Sequence, residues 1–291
     1  MAESRTQLLE YIADEIKNLK GIYVPIKASP LEVAMVRKIS PFKLHPNPDD
    51  EFCNPKIGPN YQIISGYEQK IRSSLPYDIP PFDEPLIVQK ITPGGYMLLN
   101  GHHRWAAARS CDMDPVPIKI VNLTSESDVQ QMLSESDRTK RVTFDLDEVV
   151  FSSEEGYYEI IPQSLLGKKV KEQIRLGIPA LFRFFNSKGY DVWVFSSEYY
   201  SIDHIRTLFS RYSVRVDGIV TGTGKKTAGS AAEKKSIEQL FAQTYKETIN
   251  VDSESVVRII KDEKDFDHSE ISERGQGWSG AVMDIVSAYE S

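Results

Sequence analysis

Cysteine is nearly absent from this chain of 291 residues: only Cys53 and Cys111 occur, far apart and in no paired or metal-ligating spacing. That scarcity excludes a disulfide framework and a cysteine-built zinc site. Long apolar runs are missing as well, and none approaches the roughly 20 residues needed to cross a bilayer. There is no internal repeat and no low-complexity tract. Excess positive charge is also lacking. The 35 Lys and Arg stand against 42 Asp and Glu, a net charge of -7. This argues against a general binder of nucleic acid or of membrane surfaces, although local basic patches and a nucleic-acid partner stay open. The first residues, MAESRTQLLEYIADEI, place acids early and hold no apolar signal core. The expectation is a cytoplasmic protein with no membrane partner.

What is present reads as two globular parts. With 40% hydrophobic and 26% charged residues, the chain can build packed cores, and its length suits two domains. Leu8, Leu9, Ile12, Ile16 and Leu19 recur at helical spacing, which predicts an amphipathic helix over 5–20 stopped by Gly21. Segments 45–60 and 75–85 are rich in turn formers, with one short element expected between them. Residues 85–123 read as strand, Gly94-Gly95 turn, strand, a helix from about His102, then a third strand. The polar stretch 124–139 reads as a linker with at most a helical turn. Beyond it, strands at 142–146, 191–196, 215–220 and 248–252 alternate with helices at 179–188, 201–211, 230–246 and about 277–288. That alternation implies a parallel sheet with its ligand site at the carboxyl ends of the strands.

The sharpest chemical signal is VTFDLDEVVF, residues 142–151. An apolar, β-branched run ends in Asp145 and Asp147, although burying an aspartate without a purpose is costly. Side chains two apart in a strand share a face, so both carboxylates can converge on one site suited to a divalent cation and a phosphate.

Residues 140–291 resemble the haloacid dehalogenase-like superfamily of phosphatases and phosphotransferases. DLDEVV at 145–150 is similar to its first motif, VWVFSS at 192–197 to its second, and TINVDSES at 248–255 in part to its fourth. The resemblance implies roles for these residues. Asp145 would be the nucleophile, Asp147 the acid/base, and Ser196 with a lysine would hold the phosphoryl oxygens. Lys234 and Lys235 open a helix at suitable spacing, Lys225 and Lys226 compete, and Lys235 is the expectation adopted. Mg²⁺ would bind at Asp145, the Asp147 main-chain carbonyl and Asp252. Where the family has a second acid after its fourth-motif aspartate, this chain offers Glu254. Only about thirty residues, 151–178, follow the first motif, which implies a minimal cap and an open site. The substrate would be a phosphorylated small molecule or macromolecule.

A second signal lies upstream, where Asn100-Gly101-His102-His103-Arg104 joins a strand to the Ala-rich helix WAAARS. A glycine at such a turn lets the backbone approach an anion, the helix N-terminus supplies free N–H groups, and Arg104 adds a donor fork. With ISPFKLHPNP at 39–48 and VPIKIV at 116–121, residues 22–123 resemble the ParB/sulfiredoxin fold. Its members include sulfiredoxins, CTP-binding partition proteins and free-serine kinases. The resemblance implies that Gly101, His102, His103 and Arg104 bind ATP or another nucleotide. Sulfiredoxins carry cysteine at the place of His102. Free-serine kinases carry aspartate at the place of Asn100, and Asp49, Asp50 or Glu51 could offer the missing carboxylate.

Other features read as structural. His45 sits in a turn, His204 on a solvated helix face, and His268 in the acidic loop KDEKDFDHSEISE. The expected fold is an α/β two-domain protein: an α+β ParB/sulfiredoxin-like domain at 1–124, a linker at 125–139, and a Rossmann-like haloacid dehalogenase-type domain with a parallel sheet at 140–291. The expected function is a Mg²⁺-dependent phosphatase fused to a nucleotide- or phosphate-binding domain. The competing readings are a bifunctional kinase or NTPase plus phosphatase, and a non-catalytic nucleotide sensor.

Overall fold

The computed structural model describes residues 5–19, 23–77, 79–153, 155–160, 172–222 and 230–290. Two compact units emerge, one drawn chiefly from the chain up to Asn122 and the other from Leu123 onward. Gly21, Lys225 and Lys226 fall outside the described residues, as does the side chain of Lys234.

Unit 1 opens with α1 (Arg5–Leu19), as the apolar spacing predicts, and buries Leu8 and Ile12. There follow β1 (Val24–Pro25), α2 (Pro30–Ala34), β2 (Val36–Ile39) and β3 (Leu44–Pro46). The segment YQIISGYEQKIRSS is a full helix, α3 (Tyr61–Ser74), longer than the short element expected there. Ile64 and Ile71, seven apart, supply its buried side. Then come β4 (Leu86–Thr92), β5 (Tyr96–Asn100), α4 (His102–Ser110) and β6 (Val116–Ile120), in the predicted order. The sheet runs β2-β6-β4-β5-β3, with β1 added beside β4, and mixes parallel and antiparallel pairs. Trp105 and Ala106 to Ala108 are fully buried in α4, and the small alanines let the helix lie close in the core. The Trp105 indole donates to the Pro41 carbonyl at 3.0 Å, so the buried N–H is not orphaned.

Unit 2 begins with α5 (Glu126–Ser134), inside the stretch expected to be a linker. Ser125 and Asp128 form a capping box, while Val129 and Met132 are buried against Trp193, Val220, Ile237 and Phe241. Then follow β7 (Lys140–Asp145), α6 (Ile178–Ser187), β8 (Tyr190–Ser196), α7 (Ile202–Arg211), β9 (Gly218–Thr221), α8 (Ser230–Thr244) and β10 (Glu247–Val251). β10, β7, β8 and β9 lie side by side and parallel, as the alternation predicts. Strand β8 is buried along nearly its whole length, the usual state of a central parallel strand. A glycine is required at 218, because a Cβ there would collide with the Trp193 ring.

An antiparallel extension, β11 (Ser255–Ile260) and β12 (Phe266–Glu270), completes the sheet beside β10. The stretch read as a solvated acidic loop therefore contains an edge strand. Its mostly exposed side chains leave no apolar alternation to read. The closing helix α9 (Trp278–Tyr289) buries Trp278, Val282 and Val286. Among the described residues no helix is long and apolar enough to cross a membrane.

Candidate functional site

In unit 2 the strand register assembles the candidate site. Val251 pairs with Phe144, so the next residues along, Asp252 and Asp145, emerge side by side from adjacent parallel strands, about 4.8 Å apart at the backbone. Asp145 pairs with Phe195, which puts Ser196 just beyond on the other flank.

After β7 the chain turns through a five-residue π-helical segment, Leu146–Val150, with Asp145 as its N-cap. Asp145 Oδ1 accepts from the N–H groups of Asp147 and Glu148, at 2.7 and 2.8 Å. These two bonds anchor one carboxylate oxygen, and Oδ2 takes no hydrogen bond among the described residues. Asp147 Oδ2 accepts from Ser196 Oγ at 2.7 Å. Ser196 is almost fully buried, and its Oγ also accepts from the Glu198 N–H at 2.9 Å. The serine expected to hold a phosphoryl group thus directs its proton to the second aspartate. Asp252 is exposed, and its Oδ1 accepts from the Ser253 N–H at 2.5 Å and from Ser253 Oγ at 3.2 Å.

Lys235 lies exposed on α8, and among the described residues no hydrogen bond or ion pair ties it to Asp145 or Asp147. Among the described residues no group of three or more His, Cys, Asp or Glu side chains gathers to hold a metal ion. A cation here would take two protein carboxylates, Asp145 and Asp252. Sequence reasoning missed Tyr200. Burial, and then the charges of Asp147, Glu172 and Glu198, push its hydroxyl far above the usual tyrosine range, so it stays protonated beside Asp147. Nothing in the spacing of Tyr199-Tyr200 marks it. His204, read as solvated, pairs with Glu172 at 3.1 Å.

In unit 1 the turn between β5 and α4 has the predicted form. Gly101 has φ +100°, and a Cβ there would lie 2.6 Å from Leu86 and 3.0 Å from the Arg104 guanidinium. Only glycine fits both the conformation and the space. Arg104 Nη1 donates to the Glu84 carbonyl at 2.6 Å, which leaves part of its fork at the turn. Both histidines make contacts within the unit. His102 is buried, its Nε2 accepts from the Asn47 N–H at 3.2 Å, and its Nδ1 faces Asp50 at 3.5 Å. His103 Nε2 accepts from the Asn60 N–H at 3.1 Å. Phe52 packs on both rings. The pair therefore anchors the turn-rich segment 45–60 around the head of α4, where the first N–H groups of the helix and the Arg104 side chain also lie. Asp50 is occupied too, since its Oδ1 accepts from the Phe52 N–H at 2.9 Å. His45 is structural as expected, its Nδ1 lying 2.8 Å from Glu15.

Comparison with known proteins bears on unit 1. Residues 27–137 match the family model described as ParB N-terminal domain, a segment that covers α2 through α5. Among solved structures, the chain is similar to the C-terminally truncated chromosome-partitioning protein ParB from Caulobacter crescentus complexed with CTP-gamma-S. The identity is 21%, the alignment covers 36% of this chain and 54% of that one, and the TM-score is 0.25. The chain thus spans about half the length of that relative. No curated protein matches.

Proposed function

We propose that unit 2 is a Mg²⁺-dependent phosphomonoester hydrolase working through an aspartyl phosphate, and that unit 1 binds a phosphate group or nucleotide at the head of α4. The observation that carries the first part is the Asp145-Asp147 pair at the end of β7, with Asp252 and Ser196 on the flanking strand ends. The resemblance of the sequence motifs to the haloacid dehalogenase-like superfamily supports the same reading.

The chemistry follows from the geometry. With Oδ1 held by two N–H groups, Asp145 can present Oδ2 to phosphorus. A bond forms from that oxygen to phosphorus as the ester P–O bond breaks, and Asp147 gives its proton to the departing alkoxide. Asp147 then takes a proton from water as the water oxygen attacks phosphorus. Inorganic phosphate leaves, and the Asp145 carboxylate is restored. Ser196 and Tyr200 position Asp147 for both proton transfers. The oxygen donors fit Mg²⁺, which would be held by the Asp145 and Asp252 carboxylates, the Asp147 carbonyl and waters. Its chemistry when bound is to offset phosphoryl charge.

In unit 1 the left-handed Gly101, the uncapped start of α4 and the Arg104 fork make an anion cradle. The match to the ParB N-terminal domain over residues 27–137 supports reading the anion as a nucleotide phosphate, that of ATP or another nucleotide.

Purified protein with Mg²⁺ and p-nitrophenyl phosphate tests the enzyme. Turnover is expected, to be lost on chelation, restored by Mg²⁺, and reduced at least about a thousandfold by Asp145→Asn. Wild-type inactivity, or an active Asp145→Asn protein, would overturn the assignment. Calorimetry with nucleotides on wild type and Arg104→Ala tests unit 1. Nucleotide turnover lost in Arg104→Ala but kept in Asp145→Asn would establish the bifunctional alternative. Nucleotide binding without any phosphatase activity would establish the sensor.

A further inference from the structure

The main path of each sheet ends in two strands, and the four ends are finished differently. β9 is buried along its whole length, and β3 leaves only His45 partly exposed. β2 and β12 are the open ends, with mostly exposed or half-buried side chains. Among the described residues, the main chain of β2 bonds only to β6 and that of β12 only to β11. The outward N–H and C=O groups of both strands are therefore placed to pair with a further strand. Val36 is 61% exposed on the one and Phe266 64% exposed on the other, so each open edge also carries apolar surface.

The two open edges carry opposite charge. Residues 33–43, which hold β2, have three basic residues, Arg37, Lys38 and Lys43, and no acidic one. Residues 262–273, which hold β12, have six Asp and Glu against Lys264 alone. Part of this charge is answered locally. Arg37 lies 3.4 Å from Glu32, and Asp267 lies 3.4 Å from Arg258. Lys38 and Glu270 are exposed, and among the described residues neither has an ion-pair partner. Like charges opposed across a strand pair destabilise it, and opposite charges stabilise it. Charge on an edge ordinarily keeps a strand from pairing with its own copy. Here it opposes β2 against β2 and β12 against β12, and it favours β2 against β12.

We propose that the chain binds a second copy of itself by pairing β2 of one molecule with β12 of another. Main-chain bonds would form the junction, and the basic-on-acidic match would select it. The contact is heterologous, unit 1 of one molecule on unit 2 of the next. The shorter strand has only four residues, so the association is weak and depends on concentration and salt. Sedimentation velocity of the full chain from about 10 to about 500 µM tests it, in salt of about 50 mM and about 500 mM, where the screening length falls from about 14 Å to about 4 Å. At low salt the weight-average mass should rise with concentration. The association constant should fall about fivefold or more at high salt. Lys38→Glu and Glu270→Lys should each weaken association by about fivefold or more, because each sets like charges across the junction. The double variant exchanges the two charges and should associate within about threefold of wild type. A monomer at every concentration overturns the proposal. So does association that both single variants leave intact, or a loss that the double variant fails to restore. Association strengthened by Glu270→Lys and indifferent to Lys38→Glu would overturn it in favour of β12 pairing with its own copy.

Discussion

His102 heads the turn between β5 and α4, and its ring points into the protein. It is buried, accepts from the Asn47 N–H through Nε2, and stacks on Phe52. Burial pushes its pKa down to about 4, His103 adds to the fall, and the carboxylate of Asp50 works against it. The consequence for stability has a definite sign. Above the unfolded value of roughly 6.5 the ring is neutral in both states, and the fold has its full stability. As the pH falls from about 6.5 toward 4, the unfolded chain takes up the proton first and stability declines, by roughly 3 kcal/mol over the whole window. His103, also lowered by burial, acts in the same direction. His102→Gln keeps a polar side chain without the titration, so urea midpoints measured from pH 7 to 4.5 should fall less steeply for the variant. Parallel curves for the two proteins would show that His102 is already charged in the fold. Both histidines were expected as ligands because the resemblance to the ParB/sulfiredoxin turn implies it, and spacing alone carries no information on which way a ring points.

Elements were legible where a face is buried and illegible where it is not. β8, apolar along nearly its whole length, and α4, with its tryptophan and alanines, are buried and were readable. β12 is an exposed edge and carried no pattern. The two aspartates were legible because charge at the end of an apolar strand stands out, whereas Tyr200 reaches Asp147 from a loop whose path no local pattern fixes. α5 is the instructive miss. Val129, Met132 and Leu133 do repeat at helical spacing, and Ser125 with Asp128 signals a helix start, but the surrounding polar residues hid both. The same segment also covers an open sheet edge: Thr124 Oγ1 donates to the Ile219 carbonyl at 3.0 Å and accepts from the Thr221 N–H at 3.0 Å. An edge strand needs such cover. Val129→Ala should therefore cost roughly 1–3 kcal/mol in unit 2, by chemical denaturation, whereas a substitution in a solvated linker would stay within about 0.5 kcal/mol. At the other turn, Gly101→Ala forces a side chain into the left-handed region and against Leu86. A loss of roughly 1–3 kcal/mol in unit 1 is expected, together with weaker nucleotide binding by calorimetry. Unchanged affinity would mean that the head of α4 is not the cradle.

At the scale of the whole molecule, the cores divide as the units do. One cluster, from Leu8 to Ile120, belongs to unit 1, and two others, around Phe144 and around Trp193, belong to unit 2. Separate cores of this size are separate cooperative units, so heating should resolve two transitions. Tryptophan assigns them, because Trp105 lies in unit 1 and Trp193 and Trp278 lie in unit 2. Trp105→Phe should silence the fluorescence change of one transition and leave the other. A ligand that binds only the folded form of one unit stabilises that unit by about 2.7 kcal/mol at a hundredfold excess over its Kd. Nucleotide should therefore raise the Trp105 transition and not the Trp193/Trp278 transition. That shift should vanish in Arg104→Ala and persist in Asp145→Asn. A single transition moved as one by nucleotide would instead mean that the anion cradle and the aspartate pair belong to one cooperative body, and either substitution would then be felt at both sites.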